Sequence, residues 1–293
     1  MRLIKSGIPG LDKVLGGGFL EGSIVTLSGP TGSGKSTMAL QFILESEAPG
    51  LYISIEESKK DFFFHMSGYK WDLQEAEQNR RLIILDYPIY EVDQVLNQYS
   101  AIQEIIQTTG VKRVVIDSIM PIALHFPNED ERKKGFLKLI DNMRKWGVTT
   151  LIIAQDRASE NLKRLPYTSF EIENYTDGWI NLYYQYDEKK EERCRSVEVL
   201  KMKGVEHSTR NYPSQMDTDG WVVFSDEVPK SSLSKAKVAK PAAKKPEAKK
   251  APAKPAAKKT PAKKKSERVV KEVTKKAVKK LLKRKTLGIR KRG

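Results

Sequence analysis

Cysteine is almost absent from this 293-residue chain: Cys194 stands alone, so no intramolecular disulfide can form. His65, His125 and His207 are scattered, without the His/Cys spacing of a zinc site. No run approaches the roughly 18 apolar residues that cross a bilayer, and the opening MRLIKSGIPG lacks the apolar stretch of a secretory signal. These scarcities suit a reducing interior, and the chain is expected to be soluble, cytoplasmic and not exported. Aromatic residues also stop at Phe224, so nothing beyond it offers a platform for base stacking.

What is present divides unevenly. Residues 1–228 hold 27 basic and 34 acidic side chains, a net −7, whereas residues 229–293 hold 26 and 3, a net +23. The overall charge of +16 therefore belongs to the last part alone. Residues 229–265 are Lys, Ala and Pro repeats with almost nothing to offset ordering entropy, which predicts a disordered basic linker. Across 266–293 Val270, Val273, Ala277 and Leu281 fall on one helical face among lysines, which predicts a basic amphipathic helix or tail.

Residues 1–228 alternate between two textures. Short apolar runs at 24–28, 51–55, 82–85, 113–117 and 150–154 suit strands buried on both faces. Helix-length stretches at about 35–47, 58–68, 91–109 and 131–146 supply the crossovers that parallel strands require. The pattern predicts an α/β fold with a doubly wound, mainly parallel sheet. After Gly178 the runs WINLYYQY, RSVEVLKM and GWVVF read as antiparallel strands closing one edge.

The sharpest chemical signal is Gly29-Pro30-Thr31-Gly32-Ser33-Gly34-Lys35-Ser36, followed by Thr37. It matches G-x-x-x-x-G-K-[ST] directly after a strand and directly before a helix. Glycines let the backbone curl so that successive N–H groups face phosphates; Lys35 meets β- and γ-oxygens, and Ser36 reaches Mg²⁺. The loop should bind a nucleoside triphosphate.

Other polar residues stand at strand exits, where an open α/β sheet places its ligand crevice. Asp117 closes RVVID, and a carboxylate at the end of so apolar a strand is costly unless it serves a cation. Glu56 and Glu57 follow LYISI; one of them could deprotonate an attacking water, and the other would point elsewhere. Gln155 ends the fifth run and could hydrogen-bond a γ-phosphate or that water.

Five segments together, GIPGLDKVLGGGFLEGS (7–23), GPTGSGKST (29–37), YISIEES (52–58), RVVIDS (113–118) and KMKGVEH (201–207), resemble the RecA superfamily, and within it the KaiC-like and RadA-related ATPases. The resemblance covers residues 1–228 in the correct order and implies a RecA-like ATPase domain using ATP and Mg²⁺. It implies that Lys35, Ser36 and Asp117 hold Mg·ATP, and that Glu56 and Glu57 match the paired catalytic glutamates. KMKGVEH resembles the strand that delivers positive charge to the neighbouring subunit's nucleotide, making Lys201, Lys203 and His207 contacts in trans. The active unit would then be a homo-oligomeric ring, a hexamer. Lys203 stands where the family commonly has Arg, and an ammonium cannot reproduce a planar bidentate fork. Clock members of the family carry two ATPase domains in tandem; one P-loop is found here.

The tail's net +23 would release many counterions from a phosphate backbone, so DNA or RNA is its leading partner, with anionic membrane the competing target through Val270, Val273, Val278, Leu281 and Leu282. The leading function is a ring-forming regulatory ATPase tethered to nucleic acid. Alternatives are a RadA-like recombinase gripping DNA through loops at 119–134 and 156–177, disfavoured by the acidic core, and a nucleotide-gated scaffold with little hydrolysis.

Overall fold

The computed structural model describes residues 2–156 and 165–226. The expected linker 229–265 and tail 266–293 lie outside the described residues, as do Arg157, Lys163 and Arg164 of the second candidate DNA loop.

A two-stranded ribbon, β1 (Leu3–Ile4) with β2 (Phe19–Leu20), flanks the short helix α1 (Leu11–Val14) in sequence. Nine strands among the described residues form the main sheet. They are β3 (Ile24–Gly29), β4 (Gly50–Ser54), β5 (Leu82–Asp86), β6 (Arg113–Asp117), β7 (Thr149–Gln155), β8 (Gly178–Asp187), β9 (Glu192–Met202), β10 (Asn211–Asp217) and β11 (Gly220–Val223), in the order β11-β10-β9-β8-β3-β7-β6-β4-β5. The helices α2 (Lys35–Leu44), α3 (Lys59–Met66) and α4 (Leu73–Gln78) precede β5; α5 (Val92–Asn97), α6 (Tyr99–Thr109), α7 (Ile119–His125) and α8 (Glu129–Trp146) follow it.

The sheet is doubly wound and covered on both faces, as the continuous apolar runs require. On one face Met38, Leu40 and Phe42 of α2, Phe62 of α3, Leu73 of α4 and Trp221 of β11 pack in one apolar cluster. On the other, Ile102 and Ile106 of α6, Ile122 of α7 and Phe136, Leu139 and Trp146 of α8 form a second. Every residue of β3 and β4 is buried, so these strands have no wet side on which charge could sit.

Three features depart from the sequence reading. The antiparallel edge is joined to the sheet by a parallel pair: β8 pairs parallel with β3, and β9, β10 and β11 then add antiparallel, each to the strand before it. Alternating hydropathy cannot distinguish the two directions when the strand's first half is buried on both sides. The stretch 91–109 breaks at Gln98, whose side chain accepts the Tyr87 hydroxyl at 3.1 Å. Residues 119–134 form helices and not a loop, because Ser118 and Asn128 each cap a helix start, accepting the amides of Met120 and Glu131. The acidic first turn and basic last turn of α8 complement its dipole.

Register fixes what meets at the sheet's carboxyl edge. Ser54 of β4 lies opposite Asp117 of β6, and Gly29 of β3 lies opposite Gln155 of β7. Strands far apart in sequence thus end side by side.

Candidate functional site

The P-loop leaves β3 at Gly29 and enters α2 at Lys35. Gly32 and Gly34 have φ of 81° and 94°, backbone that side chains resist. At Gly34 space adds to conformation: a Cβ there would fall 2.6 Å from Met216 Sδ and 2.9 Å from the Trp221 ring. The resulting curl exposes amides at the positive end of a ten-residue helix, an anion site by construction. Lys35 Nζ donates to the carbonyls of Gly29 at 2.9 Å and Pro30 at 2.8 Å, so its ammonium lies within the curl. Burial lowers its pKa, against the opposing pull of Asp117, Asp156 and Glu56.

Across from Lys35 lies the acidic side. Tyr52 of β4, fully buried, donates its hydroxyl to Asp117 Oδ2 at 2.5 Å. Ser36 lines the same cleft as this carboxylate. Burial pushes the Asp117 carboxyl up; the bond from Tyr52 and the neighbouring Ser36 hydroxyl pull it down, the Glu56 charge pushes it up again, and Lys35 opposes. Burial and the Asp117 charge drive the Tyr52 hydroxyl well above its usual range, so it remains a donor. One carboxylate and one hydroxyl beside a phosphate cradle are hard oxygen donors, the set that Mg²⁺ takes together with phosphate oxygens and water.

Glu56 is exposed and accepts the Ser118 hydroxyl; Glu57 is bonded to His65 on α3. Both glutamates line a cleft of about 430 Å³ with Ser36, Ser54, Ser58, Asp61, His65 and Asp117. Gln155 donates from Nε2 to Thr31 Oγ1 at 3.2 Å, at the tip of the P-loop. Thr37 shares a 3.1 Å hydrogen bond with Tyr69, which stacks on Trp71 at 4.8 Å between ring centroids. The predicted residues Gly29 to Thr37, Glu56, Glu57, Asp117 and Gln155 therefore surround one locus.

Lys201, Lys203 and His207 do not join it within the chain. Lys201 is paired in register with Trp179 near the start of β8, the sheet edge opposite the P-loop. Its Nζ donates to the Glu173 carbonyl at 2.9 Å; Lys203 lies 3.6 Å from Asp177, and the His207 ring faces the Ser208 carbonyl.

Sequence reasoning passed over four participants. Tyr52 is a mid-strand aromatic, and Ser118 reads as an ordinary cap. Asp156 follows Gln155 and is buried beside the P-loop; burial raises its carboxyl to about 6, with Asn181 and Lys35 pulling the other way. A polar residue directly after an apolar strand was the available signal. Arg195 donates to the Gly32 carbonyl at 3.2 Å and lies 4.5 Å from the Tyr184 ring centre, a contact no local pattern announces.

A family model described as ATPase: KaiC matches residues 4–228. A UPF0273 protein of Thermotoga maritima is 30% identical over 244 residues, covering 78% of this chain and 98% of its own. The circadian clock oscillator protein KaiC of Prochlorococcus marinus is 29% identical over 236 residues, 77% of this chain and 45% of that one. The crystal structure of a KaiC-like protein from the hyperthermophilic archaeon Pyrococcus horikoshii superposes with a TM-score of 0.65 at 34% identity, covering 76% of this chain and 99% of that one. The fold is thus RecA-like.

Proposed function

Since the chain belongs to the KaiC ATPase family, we propose that residues 1–228 bind ATP with Mg²⁺ and hydrolyse it, as a regulatory ATPase that assembles into a ring and is tethered to nucleic acid by residues 229–293. One observation carries the enzymatic part: the P-loop lysine, a hydroxyl–carboxylate pair and two glutamates, delivered by three different strands, converge on one edge of the sheet.

The roles follow from chemistry. Amides of Gly29 to Thr37 cradle the phosphates, and Lys35 neutralises charge on the β- and γ-groups. Ser36 and Asp117 would hold Mg²⁺, which supplies charge neutralisation on the transferred group. Glu56 or Glu57 orients and deprotonates water, while Gln155, tied to Thr31, senses the γ-phosphate. ATP turnover measured on Lys35→Ala, Glu56→Gln and Glu57→Gln tests this: the lysine variant should lose binding, and at least one glutamine variant should keep binding and lose turnover. Tight ATP binding by Lys35→Ala contradicts the assignment.

The ring is supported by the placement of Lys201 and Lys203 at the edge away from their own P-loop, where only another subunit's nucleotide would meet them. Molecular size with and without Mg·ATP checks it. The net −7 of residues 1–228 weighs against strand exchange as the primary activity. The basic tail supports a cytoplasmic, nucleoid-associated location.

A further inference from the structure

Among the described residues, Glu57 has an ionisable hydrogen-bond partner and Glu56 does not. The Ser54 hydroxyl donates to the Glu57 carbonyl at 2.7 Å, anchoring its backbone at the end of β4. Ser58 then starts α3, accepting the Asp61 amide at 3.2 Å and donating its hydroxyl to the Asp61 carboxylate at 2.6 Å. Asp61 and His65, four residues apart, share one face of that helix, and this face closes the cleft that holds Ser36, Glu56, Glu57 and Asp117. There His65 Nδ1 is hydrogen-bonded to Glu57 Oε1. The imidazole is 61% exposed and the Glu57 side chain 28%, so the pair spans from the cleft to solvent.

Resting on the ATPase reading above, we propose that Glu57 is the group that takes the proton from the attacking water and that His65 is its positioning residue, holding Oε1 so that Oε2 faces the cleft. In the step, a water O–H bond breaks and its proton passes to Glu57 Oε2. The water oxygen bonds to the γ-phosphorus, and the bond from that phosphorus to the bridging oxygen breaks, releasing ADP. The proton leaves Glu57 for solvent afterwards. Glu56, bonded to Ser118, holds the water's far side.

Charge on the imidazole sets how well this works. A neutral ring donates one hydrogen bond and leaves the carboxylate basic; an imidazolium makes an ion pair and weakens it as a base. The other charged groups around the ring are Asp61 on its own helix, and Glu56 and Asp117 across the cleft. Lys59, at the start of α3, is engaged by Glu77.

The test uses the full chain. His65→Asn places an amide nitrogen where Nδ1 lies and cannot be protonated; His65→Ala removes the bond. We expect His65→Ala to lose about tenfold or more in kcat with the ATP Kd unchanged, and His65→Asn to recover most of it. The wild-type rate should fall with falling pH in step with His65 protonation, followed by imidazole NMR, and His65→Asn should lack that limb. Turnover retained by Glu57→Gln, or a wild-type pH profile in His65→Ala, overturns the proposal while the ATPase reading stands. A wild-type chain without turnover sinks the ATPase reading; the His65 imidazole NMR signals then decide the pair, and signals unchanged in Glu57→Gln overturn it.

Discussion

Trp221, on the last strand of the sheet, donates its indole N–H to the carbonyl of Gly34 at 3.0 Å, across 187 positions of sequence. The ring is fully buried and lies against Gly34, where an added Cβ would fall 2.9 Å from it. Gln41 of α2 reinforces the join, accepting the Trp221 amide at 2.6 Å and donating to its carbonyl at 3.2 Å. The antiparallel edge thereby supports the phosphate cradle from behind.

Trp221→Phe should keep most of the packing, remove the indole bond to a Gly34 carbonyl that still accepts the Met38 amide, and weaken ATP binding, at a stability cost of about 0.5–1.5 kcal/mol. Trp221→Ala removes a buried ring and should cost about 3–5 kcal/mol. Denaturant unfolding and ATP titration together separate the two effects.

Gly34→Ala combines backbone strain at φ 94° with a Cβ inside contact distance of Met216 and Trp221. The variant should fold with reduced stability and lose ATP binding by isothermal titration. A variant that binds ATP normally would show that the curl is not maintained by Gly34.

Asp156 gives a pH-dependent prediction. Its carboxyl is raised from the usual 3.8 to about 6, so the folded state holds the proton more tightly than the unfolded chain. Stability from this group is fully present below 3.8 and is lost as pH rises through about 6. Asp156→Asn should therefore stabilise the protein above pH 6, by up to about 3 kcal/mol, and change little below 3.8. Thermal melts across that window read the difference directly.

Tyr52→Phe removes the 2.5 Å bond to Asp117 and with it a restraint on the carboxylate assigned to the metal. The Mg²⁺ concentration required for ATP binding should rise about 10- to 100-fold. Titrating Mg²⁺ at fixed ATP measures this.

Removal of residues 229–293 should leave ATP turnover intact and abolish most nucleic acid binding, whereas the full chain's affinity should fall by orders of magnitude between low and moderate salt. Filter binding at several salt concentrations tests both parts. Equal binding by residues 1–228 would take the tail out of the account.

Local pattern settled a good deal. Gly29 to Ser36 after an apolar strand pointed to the curl at the head of α2, because its spacing is the one a backbone needs to wrap an anion. Asp117, Glu56 and Gln155 were legible for a different reason: a polar residue at the exit of a buried strand must find solvent or a partner. The alternation of buried strands and helix-length stretches was enough for the layered α/β class.

Tertiary structure alone decided the rest, since it depends on which strand lies beside which. Whether β8 runs with or against β3 is invisible in WINLYYQY, and that choice sends Lys201 and Lys203 to the edge opposite Lys35. Tyr52 meets Asp117, His65 meets Glu57 and Trp221 meets Gly34 through side chains brought together by register and helix docking. Composition records which groups are available to pair, while the fold's long-range packing selects the pairs that form.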